Sequence, residues 1–108
     1  MANWIYKVES NCSDPKREAG FNDWYTNTHV PDILKEKDFI RAARYEAYKP
    51  KQGQAKFIAL FDLETDDIER TLKVHEQTEA ALKAGGRISD LLVIVTRGAY
   101  KRLSSSNK

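Results

Sequence analysis

The chain carries two histidines, His29 and His75, and the residues around each place them on apolar helical faces. With a step of about 100° per residue counted from Phe21, the side chains of Trp24, Tyr25, Thr28 and Asp32 fall within about 60°, and His29 at about 80°, the border of the buried stripe. On a later stretch Ile68, Leu72, His75 and Glu79 follow at spacings of four, three and four. An imidazole and a carboxylate there occupy positions where packing residues belong. A neutral imidazole with the ordinary pKa of about 6.5 takes up a proton and returns it near neutrality, which suits isomerisation, elimination and ring closure. Tyr45, on a strand between Arg44 and Glu46, adds a phenol that can keep its hydroxyl available. Plainer readings stand beside these. His75 can be a core histidine donating to a backbone carbonyl, Asp32 a cap for the short helix after Pro31, and Glu79 a solvated residue at a helix end. Tyr6, Trp24, Tyr25 and Phe57 read more readily as core aromatics than as platforms for a substrate.

Other chemistries lack their residues. The glycines at 20, 53, 85, 86 and 98 have no strand–glycine–helix setting for a phosphate loop, and neither Cys-x-x-Cys nor His-Glu-x-x-His occurs. A metal site of His29, His75 and either Asp32 or Glu79 is conceivable in geometry, but the spacing is not diagnostic and no metal is expected. Cys12, in a turn before a helix, has no companion base and reads as a spectator. With 18 Lys and Arg against 16 Asp and Glu, a net charge of +2 and no basic block, neither nucleic acid nor a membrane surface is the expected partner. No run of apolar residues has membrane-spanning length and the first residues do not resemble a signal peptide, so a reducing cytoplasm is the expected home. Two Trp, five Tyr and four Phe in 108 residues exclude a disordered chain. The length suits one domain over residues 1–103, with 104–108 as a fraying tail.

Six elements must position these groups. Residues 3–9 alternate as a strand, and 39–48 form a second, with Phe39, Ala43, Tyr45 and Ala47 sharing a side. Residues 56–63 and 91–96 form a third and a fourth strand, apolar at almost every position, as in strands buried on both faces. A helix begins at a Ser13 or Asp14 cap followed by Pro15, and is expected to kink or break between Thr28 and Pro31, because Pro31 lacks an N–H. A second helix spans 66–84, with Asp66 and Glu69 at capping-box spacing and Gly85-Gly86 as its stop. Residues 49–54 form a hairpin loop. The order βαββαβ predicts an α+β, ferredoxin-like sandwich, with two helices on one face of a sheet and both histidines pointing into the layer between. The opposite sheet face needs cover, and a second copy of the chain is the simplest; the alternative is a monomer covered by its own C-terminal segment.

The stretch Phe21-Asn22-Asp23-Trp24-Tyr25-Thr26-Asn27-Thr28-His29-Val30-Pro31-Asp32-Ile33-Leu34, followed by Phe39-Ile40-Arg41-Ala42-Ala43-Arg44-Tyr45, resembles the first half of EthD-like proteins of the dimeric α/β-barrel superfamily. In those, an aromatic on the first helix precedes a His-x-Pro and then a strand rich in Arg and Tyr. The resemblance implies a homodimer whose sheets face each other as a barrel, with a ligand cavity in each subunit between sheet and helices. It also implies that His29 is the pocket histidine. The superfamily holds cofactor-free monooxygenases, cyclases, isomerases, haem enzymes and proteins with no assigned reaction, so the resemblance leaves the chemistry open.

The resulting expectation is a small cofactor-independent enzyme of isomerase, lyase or cyclase type acting on a hydrophobic aromatic or cyclic molecule. His29 would move the proton with Asp32 orienting it, while Tyr45 or His75 stabilises charge on a substrate oxygen. Trp24, Tyr25, Tyr6, Phe57 and Glu79 would contact the substrate. The alternatives are a cofactor-free monooxygenase of an activated phenol or polyketide, and a ligand-binding or structural dimer without turnover.

Overall fold

A computed structural model describes residues 2–108 of the chain. Strand β1 (Ala2–Cys12) is followed by a short 3₁₀ turn (Pro15–Arg17), α1 (Glu18–Trp24), a π-helical turn (Tyr25–His29) and α2 (Val30–Ile33). Then come β2 (Phe39–Glu46), β3 (Phe57–Thr65), α3 (Ile68–Ala84) and β4 (Leu92–Lys101). The strands form one antiparallel sheet in the order β2-β3-β1-β4, the α+β ferredoxin-like arrangement expected from the βαββαβ order.

Strand alternation divides the sheet into two faces. Tyr6 and Val8 of β1, with Phe57, Ala59, Phe61 and Leu63 of β3, are buried beneath the helices and join Phe21, Tyr25, Ile33 and Phe39 in a single core. Their neighbours Ile5, Ile58 and Leu60 point the other way, where no element among the described residues covers them, and remain only partly buried. The expectation that the third and fourth strands are sealed on both faces therefore does not hold within one chain: Val93 and Val95 of β4 are 43% and 41% exposed.

The first helical segment starts as its sequence directs, with the Asp14 carboxylate accepting from the Lys16 backbone N–H at 3.0 Å and Pro15 in the first position. Of the kink or break expected between Thr28 and Pro31, the break does not occur. The segment widens into the π-helical turn Tyr25–His29, in which the Val30 N–H reaches the Tyr25 carbonyl, and then runs on through Pro31 to Ile33. A wider turn gives the proline ring the space that a regular helix would deny it, so the disruption appears as a bulge rather than a break. On α3 the cap is Asp67, which accepts from the Arg70 N–H at 3.1 Å, and not the Asp66–Glu69 pair. The helix accordingly starts at Ile68. Among the described residues, no helix is long and apolar enough to cross a membrane.

Candidate functional site

The π-helical turn decides where His29 points. Each residue of a wide turn advances by less than the regular step, which rotates His29 from the border of the apolar stripe back beneath the helix, leaving it 5% exposed. Its ring stacks on Trp24, with centroids 4.8 Å apart and an interplanar angle of 20°, and meets Tyr25 edge-on at 5.0 Å. Its Nδ1 is buried without a hydrogen-bond partner. Burial pushes the His29 pKa down, the nearby positive charges of His75 and Arg44 add to this, and Glu79 and Asp32 counteract only in part. His29 is a neutral imidazole at neutral pH.

His75 has the opposite setting. From α3 its ring enters the core between Tyr6, 4.9 Å away and edge-on, and Phe39, stacked at 5.0 Å. Nδ1 lies 2.7 Å from Oε2 of Glu36, and Nε2 lies 2.8 Å from Oε1 of Glu79, one turn further along α3. The second contact is too bent for a hydrogen bond and leaves Nε2 without a well-aligned partner. Burial opposes a charge here, but the two carboxylates outweigh it and the pKa is pushed up to about 9. His75 is an imidazolium at neutral pH. Glu79 is in turn held below the usual carboxylate range, burial being overcome by His75 and by Arg97, whose Nη1 donates to Oε2 at 2.9 Å.

Both histidines, Tyr25, Glu79 and Arg97 line one cavity of about 40 Å³, walled by Val8, Ile33, Phe61, Leu92 and Ile94. A larger, open groove of about 620 Å³ runs between Arg17, Trp24, Thr28 and residues 86–89. It touches the histidines only through the Trp24 ring, and its Arg87 is already engaged by Asp32, so the smaller cavity is the place where reactive groups converge. Among the described residues, no three His, Cys, Asp or Glu side chains are placed to share a metal ion. Glu36 and Glu79 contact opposite nitrogens of the His75 ring, and so diverge from each other.

Several residues that the sequence marks as candidates hold roles other than those expected of them. Asp32 does not orient His29: its carboxylate takes a bidentate pair from Arg87, Nε at 2.7 Å and Nη2 at 3.1 Å, with the Lys35 ammonium at 3.8 Å. The Arg87 hydrogen bonds hold its carboxyl below the ordinary range. Tyr45 lies on the uncovered sheet face opposite Ile58, 54% exposed and remote from both histidines. Phe57 is a core residue packed on Phe21 at 5.7 Å and does not line the cavity. Tyr6 supports His75 from below, and Trp24 is fixed by Nε1 donating to the Arg87 carbonyl at 2.9 Å. Cys12 donates weakly to the Asp14 carbonyl at 3.2 Å.

Three contributors carried no usable sequence signal. Glu36 sits in Lys35-Glu36-Lys37-Asp38, a charge run that reads as solvated, yet its side chain is 6% exposed. Arg97 shares the helix-facing side with Ile94, three residues away, because a bulge opposite Glu9 and Ser10 shifts the parity of β4. Arg44 reaches back from β2 beneath the π-helical turn, donating to Oδ1 of Asn22 at 2.9 Å and Oγ1 of Thr26 at 3.0 Å, with its guanidinium 4.2 Å from the Tyr25 ring centroid.

The fold has solved counterparts. The cofactor-independent oxygenase SnoaB from Streptomyces nogalater superposes with a TM-score of 0.64 at 12% identity, covering 100% of both chains. A dimeric ferredoxin-like protein from an uncultured marine organism gives 0.66 at 8% identity over 98% of this chain and 100% of that one. An EthD family protein from Bacillus halodurans C-125 gives 0.54 at 17% identity over 91% and 97%. At these identities the likeness is one of fold, the α+β ferredoxin-like arrangement of sheet and helices. No curated protein matches the sequence. Residues 3–84 match the model of the domain of unknown function DUF4286, the family to which this chain belongs.

Proposed function

We propose that the chain is a proton-transfer catalyst for a small aromatic or cyclic molecule, with His29 as general base and the His75 imidazolium as the group that stabilises negative charge on a substrate oxygen. The observation that carries this is a single cavity lined by two histidines driven to opposite protonation states. Environments that push two titratable groups apart assign the roles of acid and base. His29 is the one free to accept a proton; His75, clamped by Glu36, keeps its own and offers an N–H. As a C–H or O–H proton passes to His29, charge grows on the conjugated oxygen beside His75, and an N–H already in place stabilises it without reorganisation. Return of the proton at another atom completes an isomerisation, an elimination or a ring closure.

The catalytic unit we propose is a homodimer joined through the uncovered sheet face, where Ile5, Ile58, Leu60, Val93 and Tyr100 form an apolar surface interrupted by Lys7 and Glu9. The dimeric ferredoxin-like protein of the same fold supports this pairing.

A second reading, cofactor-independent oxygenation of an activated phenol, is favoured by the likeness to SnoaB along the whole chain. It uses the same base and differs in consuming oxygen. The experiment is hydrogen–deuterium exchange of cyclic 1,3-diketones and acidic phenols bearing exchangeable C–H positions, followed by NMR in D₂O, with an oxygen electrode in parallel. Exchange is expected to fall by about a hundredfold or more in His29→Ala. Exchange unchanged by that substitution overturns the assignment of His29, and oxygen consumption moves the second reading to first place.

A further inference from the structure

We propose that the substrate of this cavity is an anion, an aromatic or cyclic carboxylate, which enters by displacing Glu79 from the two cations it bridges, His75 and Arg97. The inference rests on the proton-transfer reading for the location of the site, and it concerns binding alone.

Glu79 directs one carboxylate oxygen to each cation, Oε1 at 2.8 Å from Nε2 of His75 and Oε2 at 2.9 Å from Nη1 of Arg97. A ligand carboxylate would use the same bridging geometry. The Glu79 contact to His75 is misaligned, and the buried Nε2 lacks a well-formed hydrogen bond. A free ligand, unlike a side chain tethered one turn along the same helix, can approach that N–H in line. Glu36, His75, Glu79 and Arg97 carry two negative and two positive charges; with Glu79 turned outward, one positive charge remains for an incoming anion.

The cavity requires such a movement. Its volume of about 40 Å³ falls far short of the several hundred Å³ typical of small-molecule sites. Most of its wall is core, but Glu79 and Arg97 are 28% and 47% exposed and stand at its rim. Both are long side chains that can swing into solvent with the backbone fixed, which opens the mouth and adds the space that the Glu79 head group fills. Leu92 and Ile94 line the same cavity and supply an apolar seat for a ring. Glu79 is thus an internal competitor for the anion subsite, and Arg97 a specificity-determining residue.

The test is calorimetric titration of the full chain with benzoate and with benzamide, its neutral isostere. Glu79→Gln and Glu79→Ala are each expected to tighten benzoate binding by about tenfold or more, the size of a charge-assisted contact. Arg97→Gln added to Glu79→Gln is expected to remove that gain, and benzamide should bind more weakly than benzoate throughout. Benzoate binding no tighter in either Glu79 variant than in the natural chain, or benzamide binding as well as benzoate, overturns the proposal. His29→Ala separates the two readings. Proton exchange that survives His29→Ala defeats the catalytic assignment and leaves the benzoate result standing, whereas normal loss of exchange with no benzoate response defeats the anion subsite alone.

Discussion

Glu36 and His75, 39 residues apart in sequence, meet at 2.7 Å in the core, a carboxylate from a charged turn closing on an imidazole from the middle of α3. The pair, together with Glu79, holds His75 positive, and the consequence for stability has a definite sign. The folded-state pKa of about 9 lies above the ordinary 6.5, so the folded form binds the proton more tightly than the unfolded chain. The stabilisation is complete below about pH 6.5 and is lost as pH rises through about 9. Its ceiling is about 3 kcal/mol at 1.4 kcal/mol per unit. Chemical denaturation between pH 6 and 10 should show this loss, and His75→Gln should flatten it. In NMR titrations His75 should titrate near 9, falling in Glu36→Gln, while His29 titrates below 6.5.

Asp32→Asn should lower the thermal midpoint, because a buried carboxylate with two guanidinium hydrogen bonds loses its charge. It should move the titration of His29 only slightly, and downward, because Asp32 makes no hydrogen bond to the ring and acts on it by its charge alone, or by way of Arg87, whose carbonyl fixes Trp24. A large shift of the His29 titration would show that Asp32 bonds to the ring directly.

Arg44→Met should destabilise the fold by about 1–3 kcal/mol, since the guanidinium ties β2 to Asn22 and Thr26 across the start of the π-helical turn. The same substitution removes a support of the Tyr25 ring, against which His29 packs. Proton exchange should therefore fall further than the loss of folded protein explains, and urea denaturation beside the exchange assay separates the two. Exchange that simply tracks the folded fraction would make Arg44 structural only.

Val93 and Ile94 are adjacent in β4 and should respond differently to lysine. Val93 pairs with Asn11 on the uncovered face, whereas Ile94 lines the histidine cavity. Val93→Lys should yield folded monomers in sedimentation, and Ile94→Lys should place a charge beside His75 and lower stability without first breaking the dimer. A natural chain that sediments as a monomer at micromolar concentration refutes the proposed pairing.

The sequence by itself determined the order of elements and the fold, because those rest on local signals: alternation in β1, the apolar run of β3, the Asp14-Pro15 start, and the apolar line from Ile68 to Glu79 on α3. It also placed both histidines in the layer between helices and sheet, since helical periodicity alone fixes the face of His75 and comes close for His29. Tertiary structure decided the rest. Whether Pro31 breaks its helix or widens it depends on what packs beneath, and the Arg44 clasp and the aromatic cluster keep the segment helical while turning His29 inward. Glu36 looks solvated in its run of charges and is buried only because the chain folds back over α3. Arg97 joins the cavity because a bulge shifts the parity of β4, which strict alternation does not reveal. Asp32 and Tyr45 have suitable chemistry and suitable neighbours in sequence, but Arg87 claims the first and strand register turns the second to the far face. Periodicity can say which way a side chain leans from its own element, but its partner is set by contacts between elements far apart in sequence, and the protonation states of His29 and His75 depend on those partners.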